Sequence, residues 1–264
     1  MRITGIIART DHTGTTDGTM RAAIVSDVHS NLAALEAVLA HAESLNALDQ
    51  VWALGDLVGY GPQPSECLAR LRQYDFRSVA GNHDLAVVGA IDTSDFNLAA
   101  ATANHWTADR IGDVEREYLR TLPKNLTIDG ISLVHGSLRD PVWEYMYSID
   151  AAVAQFANMK TRFSLVGHTH VPLVFEEARD GQDPGYRQIE NGETIELGDR
   201  RLILNPGGVG QPRDGDARSA YAVFDSNART FAFYRVPYDI ERTQALMADA
   251  RLPVRLISRL SRGR

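Results

Sequence analysis

The sequence predicts an α/β fold, and three observations carry that expectation. Apolar runs alternate with amphipathic stretches through roughly the first eighty residues, in strand–helix–strand–helix–strand order. Such an order pairs its strands in parallel through right-handed crossovers. Asp, Asn or His also follows directly on one apolar run after another, usually beside glycine, and strand ends are where α/β sheets hold their functional groups.

Taken in order, residues 1–19 are rich in Thr, Gly and Asp without periodicity and read as a flexible N-terminal tail. His12 beside Asp11 is therefore not counted as a ligand pair. Residues 20–264 read as one domain. Ala22-Ala23-Ile24-Val25 suits a buried strand. Asn31 caps a helix whose Leu32, Leu35, Val38, Leu39 and Leu45 share one face. Val51–Leu54 is a second strand, a helix follows near Ser65–Tyr74, and Arg77–Ala80 is a third strand. Phe96 to about Leu122 reads as helical.

Beyond it the character shifts towards β, at Leu126–Ile128, Ile131–Val134, Phe163–Val166, Val171–Phe175, Leu202–Leu204, Ala220–Phe224 and Thr230–Val236. One helix, about Ile149–Met159, interrupts this series. The polar stretch Glu177–Asp199 reads as a hairpin excursion. Arg251, Arg255 and Arg259, interleaved with Leu252, Leu256 and Leu260, read as a solvated terminal helix.

Composition narrows the function. With 264 residues, 44% hydrophobic and 23% charged, the chain can bury a sizeable core. Its formal charge of −7 argues against non-specific nucleic-acid binding, which needs a basic field. Cys67 is the only cysteine, so neither an intramolecular disulfide nor a cysteine-based zinc site is expected. Apolar runs fall far short of the ~20 residues that span a bilayer. No membrane association is expected, and a cytoplasmic location is.

Five motifs carry the chemistry. Asp27-Val28-His29 follows the first strand, and residues two apart on an extended segment would point at one cation. Gly55-Asp56 follows the second; a carboxylate there has two oxygens and can bridge two metals. Gly81-Asn82-His83-Asp84 follows the third, with Asn82 as an oxygen ligand and His83 as an acid that Asp84 would steady through its other ring nitrogen. His135-Gly136-Ser137 and Gly167-His168-Thr169-His170 close the series. Singly, each motif could be a turn, a cap or a core histidine. Five of the eight histidines nevertheless fall inside this one ordered set.

On these motifs the chain resembles the calcineurin-like metallophosphoesterase superfamily, whose signature runs Asp-x-His, Gly-Asp, Gly-Asn-His-Asp, His, Gly-His-x-His. The resemblance spans most of the chain from Met20. It is similar to prokaryotic members of the phosphodiesterase and phosphatase branch that continue the second motif as Gly59-Tyr60-Gly61-Pro62 does here and carry a late loop like Asn205–Arg213. It departs from the Ser/Thr protein phosphatase branch, which has Asp-Arg-Gly and Gly-Asn-His-Glu at those places.

The resemblance implies a four-layer α/β/β/α sandwich and two divalent cations. One would take Asp27, His29, Asp56 and His170. The other would share Asp56 and add Asn82, His135 and His168, while His83 would protonate the leaving oxygen. The implied function is hydrolysis of a small phosphorylated substrate, a phosphodiester or phosphomonoester, by activated water. A phosphoprotein or dinucleoside polyphosphate phosphatase, or a non-catalytic metal-binding scaffold, are the alternatives. Mixed imidazole and oxygen ligands suit Mn, Fe, Co, Ni or Zn better than Mg.

Two arginines and four aromatic residues stand near these motifs. Arg139 and Arg213 are each read either as a clamp on a substrate phosphate or as half of a structural ion pair. Tyr60, Trp143, Tyr145 and Tyr147 are assigned to packing in preference to stacking on a nucleobase. His41 and His105 lie in helices without motif context and are not expected to be ligands.

Overall fold

Alternating side chains along the strands sort this chain into layers. The computed structural model describes residues 19–178 and 182–264, so the expected tail lies almost wholly outside the described residues. In chain order, β1 (Arg21–Val25), α1 (Leu32–Ser44), β2 (Gln50–Ala53), α2 (Pro64–Leu71) and β3 (Phe76–Ser78) form the expected parallel series. Next come α3 (Asn82–Val87), α4 (Leu98–Ala108) and α5 (Asp113–Thr121). The single helical stretch expected over 96–122 is thus two helices, with Asp109 closing the first and Gly112 opening the second.

The β-rich half contains β4 (Asn125–Ile128), β5 (Ile131–Val134), α6 (Ile149–Asn158), β6 (Phe163–Val166) and β7 (Pro172–Glu176). It continues through β8 (Gly185–Gln188), β9 (Thr194–Glu196), β10 (Leu202–Pro206), β11 (Ser219–Asp225) and β12 (Thr230–Val236). The chain closes with α7 (Ile240–Asp249) and α8 (Val254–Leu260). Two six-stranded sheets result, ordered β3-β2-β1-β11-β12-β9 and β4-β5-β6-β10-β7-β8.

The period-two pattern decides which side chains meet. Ala23, Val25, Val51, Ala53, Tyr221 and Val223 face α1, α2 and α5 on one side of the first sheet. Their neighbours Ala22, Ile24, Trp52, Phe224 and Phe233 turn the other way, against Leu133, Leu165, Val174 and Leu204 of the second sheet. Phe175 and Ile203 on the outer face of that sheet pack on Ala151, Ala152 and Phe156 of α6. Four layers follow, α/β/β/α.

Two expectations need correction. Among the described residues of the 177–199 excursion, no strand pairs with another of the same stretch. β8 extends the second sheet beside β7, while β9 extends the first beside β12, because each sheet offers an open edge whose unpaired amides recruit a strand. The terminal helix is not simply solvated. Leu256 and Leu260 of α8, with Met247 of α7, are buried against Tyr60 and against Ala100 and Ala103 of α4. The leucines recur at helical spacing, so one face of α8 is apolar and finds a partner. No described helix is long and apolar enough to cross a membrane.

Leu204 is wholly buried between the two sheets. Leu204→Ala should therefore cost about 2–5 kcal/mol of stability, read by urea unfolding. An unchanged midpoint would mean that the sheets do not pack face to face.

Candidate metal centre

Parallel strands in both sheets end on the same edge, which gathers the five motifs. Asp27 and His29 follow β1, Asp56 follows β2, and Asn82 and His83 open α3 after β3. His135 follows β5, and His168 and His170 follow β6. The chain leaves these strands in tight left-handed turns. Asp27, His29, Ser30, Asp56, His168 and His170 all have φ between 48° and 64°. The paired ligands therefore do not converge along an extended segment, as their two-residue spacing suggested. They converge because the backbone curls.

Left-handed non-glycine residues cost of order 1–3 kcal/mol each and persist where their surroundings over-determine them. Here the turns are laced together by backbone hydrogen bonds. Asp27 N donates to Gly55 O, His29 N to Asp56 O and Ser30 N to Leu57 O. Gly210 N donates to Asp27 O, and Gly167 N to His135 O. Gly81 lets two of these loops touch. A Cβ there would stand 2.1 Å from Asp56 Oδ1 and 2.4 Å from Asp56 N.

The polar atoms so gathered are nearly all acceptors. His29 Nδ1 lies 3.2 Å from Val58 O, His135 Nδ1 lies 2.7 Å from Leu54 O, and His170 Nδ1 lies 2.6 Å from Gln211 O. A backbone carbonyl can only accept, so each Nδ1 carries the proton and each Nε2 presents a lone pair. Those lone pairs face one another or other acceptors. His29 Nε2 and His170 Nε2 are 3.2 Å apart. His170 Nε2 is 3.1 Å from Asp27 Oδ1. His135 Nε2 is 3.1 Å from Asn82 Oδ1, 3.0 Å from His168 Nδ1 and 3.4 Å from Asp56 Oδ2.

Asp56 has a divided role. Its Oδ1 accepts from His83 N at 2.9 Å, which leaves Oδ2 between His135 and, at 3.6 Å, His29. Asp27 Oδ1 and His168 Nε2 are buried with no hydrogen-bond partner. Three groups among the described residues have ligand atoms within 4.8 Å of one another: His29–Asp56–His83, which lies between the others, and the two clusters Asp27–His29–His170 and Asp56–His135–His168. Buried lone pairs aimed at one another call for a positive charge between them, and the residues fit divalent cations in both clusters.

The electrostatics agree with that fit. Burial holds His29 and His168 well below the ordinary imidazole range. Burial and then Arg213 bring His170 to about 4. All three are thus neutral, the form in which an imidazole can take a cation. Burial, with Asp84 and Asp27 as like-charged neighbours, pushes Asp56 well above the ordinary carboxylate range, a penalty that a bound cation would relieve. For Asp27, burial works in the same direction, but the nearby His170 and His135 rings and the Ser26 hydroxyl outweigh it and leave the carboxyl low.

Asp84 does not touch the His83 ring, contrary to expectation. Its Oδ1 accepts from Leu57 N at 2.9 Å and Val58 N at 3.1 Å, and its Oδ2 from Gly81 N at 3.0 Å. It ties the second motif to the third. Its place on α3 turns it back towards the helix start and away from the ring two bonds up its neighbour. Burial raises it to about 7 against those backbone donors. The partner of His83 is Asn104 on α4, whose Oδ1 lies 2.7 Å from Nδ1. Burial takes His83 down to about 3, opposed by this bond. Nothing in the sequence around Asn104 marks it; only the packing of α4 across the motifs brings it in.

The two arginines separate. Arg139 is half-exposed and paired with Glu144, which also accepts from Ser137 Oγ. It does not line the cleft over the clusters. Arg213 does, together with Tyr60, His83, Phe96, Trp143 and Tyr145. Its Nε is buried without a partner and its Nη2 donates only to Gln211 Oε1 at 3.1 Å. Among the described residues it forms no ion pair. Tyr60 and Trp143 pack, on His29 and Phe96 respectively. Tyr145 is 45% exposed and stacks on His168 at 3.8 Å, with Tyr147 parallel to it at 5.8 Å. Asn31 caps α1, as expected, by accepting from Ala34 N. His41 bonds Tyr221 Oη away from the clusters, and His105 is exposed.

Residues 20–229 match the model of the calcineurin-like phosphoesterase superfamily domain. The chain belongs to this superfamily. An uncharacterized protein of Methanocaldococcus jannaschii is 34% identical over 249 residues, 92% of this chain and 98% of that relative. The crystal structure of a metallophosphoesterase from Sphaerobacter thermophilus superposes with a TM-score of 0.85 at 42% identity, covering 94% of this chain and all of that one. A symmetrical bis(5'-nucleosyl)-tetraphosphatase of Psychromonas ingrahamii is 42% identical over 64 residues, 24% of this chain and 23% of its own. This calcineurin-like phosphoesterase is accordingly a hydrolase of phosphate esters, in a family that depends on divalent metal.

In this phosphoesterase Asp84 accepts three backbone N–H groups with two oxygens, and an amide can match only one edge of that set. Asp84→Asn should lower stability by about 1–3 kcal/mol, because one edge then turns N–H against N–H. Thermal unfolding checks this, and an undiminished melting temperature would contradict the tie.

Proposed function

We propose that this chain hydrolyses a small phosphodiester or phosphomonoester with two divalent cations, drawn from Mn, Fe, Co, Ni or Zn. Asp27, His29, Asp56 and His170 would hold one. Asp56, Asn82, His135 and His168 would hold the other. The supporting observation is the convergence of buried acceptors with few donors among the described residues, above all His29 Nε2 against His170 Nε2 at 3.2 Å. Bound cations supply Lewis acidity towards phosphate oxygens and lower the pKa of water. The single buried thiol, Cys67, accords with a cytoplasmic location.

The chain's own groups do the rest. Arg213 offers an unpaired guanidinium edge to a phosphate oxygen above the clusters. His83 keeps Nδ1 on Asn104 and leaves its other nitrogen for the leaving oxygen. Burial keeps its ring neutral, and an anionic phosphoryl group in the cleft adds the negative charge that favours the imidazolium. Arg139, paired with Glu144, is left out of this reading. A dinucleoside polyphosphate is the second reading, supported by Tyr145, which lines the cleft, and Tyr147 stacked on it, both half-exposed.

Stripping with chelator should abolish turnover, and restoring one metal at a time should return it, with matched mono- and diesters reporting the preferred ester. Turnover by protein shown by elemental analysis to be metal-free would refute the reading. Arg213→Ala should lower kcat/KM about 10- to 100-fold, the worth of a hydrogen bond to a charged group. An unaltered kcat/KM would remove Arg213 from the substrate site.

A further inference from the structure

Packing grips the ring of His83 without deciding its orientation. The Tyr60 ring lies 4.2 Å from it between centroids, and Phe96 meets it edge-on at 5.0 Å. A flat ring held in this way retains two orientations related by a half-turn about χ2, which exchange Nδ1 with Cδ2 and Nε2 with Cε1 and so put a carbon where a nitrogen stood. One contact breaks the tie. Asn104 is 1% exposed, on the buried stripe of α4 with Ala100, Ala103 and Thr107. Its Oδ1 accepts from His83 Nδ1–H at 2.7 Å.

The room for this contact comes from Gly59, in the second motif. Its φ is +84°, and a Cβ there would stand 2.5 Å from His83 Nδ1 and 2.9 Å from Asn104 Oδ1. Asn104 Nδ2, meanwhile, is buried with no hydrogen-bond partner. An amide kept inside a helix interface with half its capacity unused is a poor structural choice. The bond it does make therefore needs another reason.

We infer that Asn104 is a positioning residue for His83, whose amide oxygen holds the Nδ1–H tautomer and turns Nε2 towards Asp56 and His29. One ring nitrogen of His83 lies within 4.8 Å of ligand atoms of both. The inference rests on the reading of His83 as the proton donor. In that step the P–O bond breaks with its electron pair going to the leaving oxygen. The donor is the imidazolium that an anionic substrate favours; its Nε2–H proton moves to that oxygen, leaving the neutral Nδ1–H tautomer, and Nε2 is reprotonated from water. Nδ1 keeps its proton on Asn104 throughout. A partner of this kind is neutral, so it contributes orientation and no charge.

The test compares Asn104→Ala, Asn104→Asp, His83→Ala and the double variant His83→Ala/Asn104→Ala. Protein reconstituted with manganese is assayed on matched phenyl and 4-nitrophenyl phosphate esters. Asn104→Ala should keep metal content and KM and lower kcat about 10- to 100-fold, as loss of a ring-orienting partner does. The loss should be steeper on the phenyl ester, whose more basic leaving group needs the proton more. The double variant should be no slower than His83→Ala, and Asn104→Asp should recover most of the rate. In metal-free protein, nitrogen-15 spectra of the His83 ring should report one tautomer in the parent and a mixture in Asn104→Ala.

Lost metal, equal losses on both esters, multiplying losses in the double variant or an unchanged tautomer would each overturn the inference. If Asn104→Ala does not fold, Asn104→Ser carries the same comparison. Full turnover by His83→Ala would sink the donor reading and this inference together. A slowed His83→Ala beside an unaffected Asn104→Ala would sink this inference alone.

Discussion

Seven ligand-type side chains are buried with their acceptor atoms turned inward and almost no donor among them. That arrangement is the constraint on which the rest depends. Water cannot solvate the set, because Asp27, His29, Asp56, Asn82, His135, His168 and His170 are all nearly inaccessible. A fold that gathers them must bear desolvation, like-charge repulsion between Asp27 and Asp56, and left-handed backbone at six neighbouring positions. It does so by making the surrounding backbone rigid. Carbonyls of Leu54, Val58 and Gln211 set three histidine tautomers, and Asp84 takes three backbone N–H groups that join two loops. The set suits divalent cations, on which the family depends, since they would supply a positive charge that the few donors among the described residues do not.

Elements with no chemistry of their own shape what lies above the clusters. α4 contributes Asn104 and one wall of the cleft. α7 and α8 press Met247, Leu256 and Leu260 against Tyr60, which in turn packs on His29 and His83. α8 also carries Arg259, which burial and then Arg213 draw down to about 10. Two guanidiniums close enough to repel, on a protein of net charge −7, concentrate positive potential beside the cleft.

Much of this was legible in the chain. The parallel β1–β2–β3 series, the β-rich second half and the motif positions at strand ends follow from apolar runs and from the residues just after them, which are local signals. The helix cap at Asn31 is equally local. The hairpin expected over 177–199 failed because strand pairing is a choice among edges, and edges exist only in the assembled sheets. The steadying of His83 by Asp84 failed for a related reason. Adjacency in sequence suggested a contact, whereas a helix turns neighbouring side chains about 100° apart.

By itself, the sequence determined the fold class, the family and the identity of the seven ligand-type side chains, because alternation, helical spacing and short motifs are properties of consecutive residues. Tertiary structure alone decided that the ligand-type side chains converge through left-handed turns, that Arg139 is occupied by Glu144 while Arg213 has no ion-pair partner among the described residues, and that Asn104 meets His83. Each of these is a contact between residues distant in sequence, or a backbone state held by such contacts. Nothing in a linear order of side chains encodes which of many polar atoms will be brought within 3 Å.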